Sequence, residues 1–225
     1  MSRRGLFVIR NNMAQDTADN MKEKIHAIIF DWGGVCCSEG EPFASAALQQ
    51  KVRLGPDDIA KAVRPLYNDY YRGKYEGTEF WQRVMNHFGL SEDSDINPGA
   101  LSAAYLSSYT LWPDMLTVAK QLQKTYRVGL LSDLTVEMRD HIRQEHDLNE
   151  IFESILFSCD AGVGRMKTDG PEIFEQMLEQ MGATPEEALF IDNSKSKIAV
   201  AREVGLRTIL FENKDQFFCD IQPYL

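Results

Sequence analysis

Asp31 closes the apolar run Ile28-Ile29-Phe30 and is followed at once by Trp32-Gly33-Gly34-Val35, so a carboxylate stands where a buried strand gives way to flexible backbone. Open α/β sheets place their chemistry at such carboxyl ends. Three later segments repeat the arrangement: Val128-Gly129-Leu130-Leu131 runs into Ser132, Leu156-Phe157 precedes Lys167, and Ala188-Leu189-Phe190-Ile191 runs into Asp192. Singly, each polar residue has an ordinary use as a strand end, a helix cap or a loop cation. Their order, each behind its own strand, makes them one candidate site rather than a lone motif.

The elements that must position them read as follows. Residues 1–24 are polar, without a sustained period, and carry Met13 and Met21 as alternative starts, so they are expected to form a flexible tail. A first strand over about His26 to Phe30 is nearly continuous in apolar residues, as in a parallel strand covered on both faces. From about residue 40 to 112 the pattern turns helical. Gly55-Pro56-Asp57-Asp58 opens one helix, which Pro65 ends or kinks; Thr78 opens another with Phe80, Trp81, Val84, Met85 and Phe88 at helical spacing; a third follows Pro98.

After Pro113 helices and strands alternate. Strands are expected near Arg127 to Leu131, Ile155 to Phe157, Ala188 to Ile191 and Arg207 to Phe211, with helices through Leu122, from about Val136, over Glu172 to Met181 and over Lys197 to Val204. Thr184-Pro185-Glu186-Glu187 reads as a capped helical turn. Repeated βα units imply an α/β fold, a doubly wound parallel sheet in a three-layer Rossmann-like core. The expected division is a core of residues 25–39 and 113–225 with an all-helical cap, residues 40–112, set over the site.

With 225 residues and ordinary apolar and charged fractions the chain can bury a full core. A net charge of -10 argues against a nucleic-acid or anionic-membrane surface. No apolar run approaches the roughly 20 residues that span a bilayer, and the short Leu6-Phe7-Val8-Ile9 run does not make a signal-peptide core. A cytoplasmic protein, monomer or homodimer, is expected. Cys36, Cys37, Cys159 and Cys219 lack metal-site spacing and read as reduced structural thiols.

These residues resemble the haloacid dehalogenase superfamily, in particular its phosphatase-like members with a small helical cap between the first and second motifs. The resemblance covers nearly everything after Lys24. It implies Asp31 as covalent nucleophile, Ser132 and Lys167 as phosphate stabilisers, and Mg2+ held by Asp31, Asp192 and the Gly33 carbonyl. Gly34 and the backbone amides of Asp133 and Leu134 would complete a phosphate cradle, with Asn193 orienting a metal-bound water. Together these imply a phosphoric-monoester hydrolase working through an aspartyl-phosphate on a small phosphorylated metabolite.

This chain departs from the family pattern in several places. Gly33 replaces the second aspartate that protonates the leaving oxygen; Asn193 replaces a second adjacent acid; Ser196 or Lys197 stands in the place of a more distant acid; and the segment leading from Lys167 into the next helix is one residue longer than the common family pattern. General acid-base assistance is worth about 10² to 10⁴ in rate, so its loss favours substrates with good leaving groups, such as sugar-1-phosphates, acyl phosphates or aryl phosphates. A 2-haloacid dehalogenase-like hydrolase, or a noncatalytic phosphate-binding protein on the same fold, are the alternatives. Among the helical residues, Tyr67, Tyr70, Tyr71, Arg72, Lys74 and Tyr75 are candidates for substrate walls, and Trp32 for a ligand contact.

Overall fold

The computed structural model describes residues 25–93 and 95–225; the expected tail, residues 1–24, lies outside them. Five parallel strands form one sheet: β1 (Ala27–Phe30), β2 (Arg127–Ser132), β3 (Ser154–Phe157), β4 (Ala188–Asp192) and β5 (Arg207–Leu210). Their order across the sheet is β3-β2-β1-β4-β5. The chain leaves the central strand in one direction, builds β2 and β3, and returns to place β4 on the other side. That reversal opens a crevice at the carboxyl end of β1.

The two-residue period of the strands explains the layers. Ile28, Phe30, Val128 and Leu130 point to one face, where they pack against α6 (Pro113–Leu122), α7 (Val136–Glu145) and α10 (Lys214–Ile221). Ala27, Ile29, Leu131 and Phe190 point to the other, against α8 (Glu172–Met181) and α9 (Lys195–Val204). Because both faces are covered, β1 and β4 are buried throughout.

Between β1 and β2 the chain is helical: α1 (Ala46–Val52), α2 (Pro56–Ala62), α3 (Arg64–Tyr71), α4 (Gly77–His87) and α5 (Pro98–Leu106) precede α6. Pro65 opens α3 rather than merely ending α2, since a proline in the first turn removes no helical hydrogen bond. Their shared core is aromatic: Tyr70 stacks on Phe80 at 3.9 Å, and Trp81 meets both Phe43 and Tyr105 edge-on. The two connections to the sheet run side by side, with Ser38 N–H on Thr110 C=O at 2.9 Å and Trp112 N–H on Cys36 C=O at 2.9 Å. Glu137, on α7, reaches into the helical segment and accepts from Tyr70 Oη, Trp81 Nε1 and Ser102 Oγ.

Candidate active site

Asp31 is 2% exposed and its amide donates to Ile191 C=O at 2.9 Å, so β1 and β4 end together. Its Oδ1 accepts from Ser132 Oγ at 2.6 Å and from Trp32 N–H at 2.8 Å, and Lys167 Nζ lies 2.8 Å away. The Lys167 side chain is fully buried. Its ammonium also donates to Asp192 Oδ2 at 2.6 Å and to Leu131 C=O at 3.2 Å, while its backbone N–H donates to Asp133 Oδ1 at 2.9 Å. Asp192 is held in turn by Ser194 N–H on Oδ1 at 2.7 Å. Four residues from three strand ends and one loop are thus brought into one cluster around a single ammonium.

Burial by itself would raise the Asp31 carboxyl, but the charges of Lys167 and Lys197 outweigh it and hold the group well below the usual carboxylate range. Asp192 goes the other way: burial and the negative charge of Asp31 push it up against the same two lysines. Two carboxylates share one ammonium, and the environment keeps Asp31 as the anion. A buried, ionised carboxylate facing a cavity is chemically able to act as a nucleophile, a base or a cation ligand.

The turn after Asp31 is drawn tight by hydrogen bonds from Gly34 N–H to Cys37 C=O at 2.8 Å and from Cys36 N–H to Trp32 C=O at 2.8 Å. Gly34 adopts φ 76°, and a Cβ there would overlap Asn193 Nδ2, so glycine is required on two grounds. Asn193 donates to Glu39 Oε1 at 2.6 Å, and Glu39 Oε2 lies 3.3 Å from where a Cβ on Gly33 would stand. The expected amide cradle is partly consumed within the chain: Gly34 N–H is committed to Cys37, and Leu134 N–H donates to Ser158 Oγ at 3.1 Å. Asp133 contributes its side chain instead, anchoring the Lys167 loop.

Above the cluster lies a cavity of about 200 Å³ with Asp31, Ser132, Asp133 and Lys197 in its floor. Its walls carry Tyr67, Tyr71, Tyr105 and Tyr109. Of the aromatic candidates from the helical segment, only Tyr67 and Tyr71 line it. Tyr70 is buried against Phe80, Arg72 forms a bidentate pair with Asp169, Lys74 pairs with Asp69, and Tyr75 lies under Arg83. Trp32 lines the cavity and packs on His146 at 5.7 Å. Tyr105, Tyr109 and Glu39 were not among the sequence candidates. Only the spacing of Tyr105 and Tyr109, one helical turn apart after Pro98, hinted at a shared face.

A family model for haloacid dehalogenase-like hydrolases matches residues 25–205. The chain belongs to this family. Among its curated relatives is a D-ribitol-5-phosphate phosphatase from Bacteroides thetaiotaomicron, 24% identical over 201 residues that cover 84% of this chain and 93% of the relative. The sesquiterpene phosphatase astK of Aspergillus oryzae is 24% identical over 186 residues, 80% of this chain and 86% of that protein. Among solved structures, a family enzyme from Bacteroides thetaiotaomicron, in complex with magnesium and inorganic phosphate, shares the fold with a TM-score of 0.70. It is 22% identical, and the match covers 86% of this chain and 99% of that one. This hydrolase therefore has the family's α/β sheet, and helices α1 to α5 lie between its β1 and β2. Among the described residues, no helix is long and apolar enough to cross a membrane.

Proposed function

We propose that this hydrolase is a Mg2+-dependent phosphoric-monoester hydrolase that works through an aspartyl-phosphate on Asp31, with residues 40–112 as the cap of its site. The observation that carries the reading is the asymmetry of the Asp31 carboxylate: three donors fix Oδ1, and Oδ2 is left toward Lys197 at the cavity floor. A carboxylate held this way attacks along one line without losing rotational freedom at the moment of reaction.

Asp31 Oδ2 forms a bond to phosphorus as the ester P–O bond breaks and its electron pair leaves on the departing oxygen. Water then attacks the acyl phosphate, which frees Asp31 and releases inorganic phosphate. Ser132 and the Trp32 amide orient the nucleophile throughout, and the Asp133 carboxylate holds the Lys167 loop in register.

Asp31, Asp192 and the Gly33 carbonyl are the residues that would hold Mg2+, with Asn193 beside them. Among the described residues no cluster of three or more His, Cys, Asp or Glu side chains is preassembled for a metal. Two carboxylates and a carbonyl nevertheless suit an ion that keeps several waters and takes the rest of its shell from substrate phosphate. Bound there, Mg2+ would offset negative charge on the phosphoryl oxygens.

Gly33 brings no acid to the leaving oxygen, so the favoured substrates are small phosphorylated metabolites with good leaving groups, such as sugar-1-phosphates. The tyrosine walls offer flat faces and phenol hydroxyls to such a group. The test is phosphate release from p-nitrophenyl phosphate with Mg2+ and with chelator, for the wild type and Asp31→Asn. Release that needs both Mg2+ and Asp31 is expected; equal background rates in the two proteins refute the reading.

A further inference from the structure

Lys197 is an ammonium in the cavity floor for which the reaction as described has no use. It stands in the first turn of α9 with its side chain 21% exposed. Its Nζ lies 3.5 Å from Asp31 Oδ2 and 3.4 Å from Asp133 Oδ2, both longer than a normal N–H···O hydrogen bond. Asp133 Oδ2 itself has no hydrogen-bond partner among the described residues, although it is buried.

Lys167, the cation that the sequence assigned to phosphate, is differently placed. An ammonium has three N–H donors. Lys167 directs two of them to Asp192 Oδ2 and Leu131 C=O, at 2.6 and 3.2 Å, and its ammonium is ion-paired with Asp31 Oδ1 at 2.8 Å. With its side chain fully buried, it has no donor left for a phosphoryl oxygen. Lys197 is the opposite case: it lines the cavity, its two neighbours are outside hydrogen-bond distance, and it flanks the Asp31 oxygen that Lys167 does not hold. Burial works against its charge, but Asp31, Asp133, Asp192 and Glu39 more than compensate, so it stays an ammonium.

We propose that Lys197 is the catalytic cation that binds the transferring phosphoryl group, and that Lys167 is a positioning residue that clamps Asp31 to Asp192. The assignment rests on the phosphatase reading above. As Asp31 Oδ2 bonds to phosphorus and the ester oxygen departs with its electron pair, Lys197 keeps its protons and donates hydrogen bonds to equatorial oxygens. The departing oxygen takes its proton from water.

The experiment compares wild type, Lys197→Met, Lys197→Gln and Lys197→Arg, each with saturating Mg2+. Inorganic phosphate binding is followed by calorimetry and p-nitrophenyl phosphate turnover by absorbance. Lys197→Met and Lys197→Gln should weaken phosphate binding at least about tenfold and lower kcat about 10²-fold, as losing a charge-stabilising donor does elsewhere. Lys197→Arg should recover part of both. Phosphate affinity and kcat within about threefold of wild type in the Gln variant would overturn the assignment, as would a loss of thermal stability unaccompanied by any change in phosphate binding. The phosphatase reading fails separately: wild type would then release no more phosphate than Asp31→Asn, while the calorimetry still decides what Lys197 does.

Discussion

Replacing Lys167 by methionine removes the one ammonium shared by Asp31 and Asp192 and leaves two buried carboxylates without it. Breaking a buried ion pair by deleting one partner costs about 3–5 kcal/mol, and for a chain of this size each kcal/mol lowers Tm by about 2–4 °C. The expected fall at pH 8, with metal chelated, is therefore roughly 6–20 °C. Its pH dependence carries the physics. In the wild type, Asp31 lies below its ordinary value of 3.8, so its contribution is present above that pH and fades on acidification. Asp192 lies above that value, so it costs stability as pH rises through its folded pKa. Without Lys167 both carboxyls lose a charge that lowers them and both move up. The folded variant then binds protons more tightly than the unfolded chain, and its stability rises as pH falls. Thermal melts in chelator at pH 8 and pH 5 should show the deficit shrinking at the lower pH, by up to about 1.4 kcal/mol per unit for each proton taken up. A Tm loss equal at both pH values, or one under about 2 °C at pH 8, would refute the account of the shared ammonium.

Three further outcomes are expected. Gly34→Ala should lose about 1–3 kcal/mol, because alanine at φ 76° is strained and its methyl meets Asn193 and Glu39; an unchanged denaturation midpoint would contradict this. Glu137→Ala strips the acceptor shared by Tyr70, Trp81 and Ser102, so a loss of about 2–4 kcal/mol is expected. Hydrogen exchange should speed up in α3, α4 and α5 more than in the strands, and uniform acceleration would argue against Glu137 as the anchor of the helical segment. Finally, with glycine at position 33, kcat/KM for aryl or acyl phosphates should exceed that for primary-alcohol phosphates by more than the leaving-group difference alone, by up to about 10² to 10⁴. Comparable values across the series would mean that another group supplies the proton.

The sheet was readable because parallel strands buried on both faces need unbroken apolar runs, and such runs are visible at residues 27–30, 128–131 and 188–191. The polar residues that end them, Asp31, Ser132 and Asp192, were readable for the same reason: each breaks an apolar run at the strand end, where a buried polar group can reach partners such as Lys167. Helix ends followed from local chemistry, as at Thr184, whose N–H reaches Glu187 Oε2 at 3.0 Å, and at Gly182, which closes α8 in the left-handed region. Two short helices, α1 and α10, escaped the reading, since seven or eight residues hold too few turns for an apolar stripe to stand out.

What the chain alone determined was the list of reactive groups and the strand behind each one. Which of the two lysines has its donors committed inside the chain depended on contacts across 25 to 36 residues, from Asp192 and Leu131 to Lys167. The cavity walls depended on how helices separated by tens of residues pack, which turned Tyr70 inward and Tyr67, Tyr71, Tyr105 and Tyr109 toward the site. Periodicity records only which face of an element is buried. The direction of one side chain on that face is decided by the neighbours that fill the remaining space, and those neighbours meet only in the folded molecule.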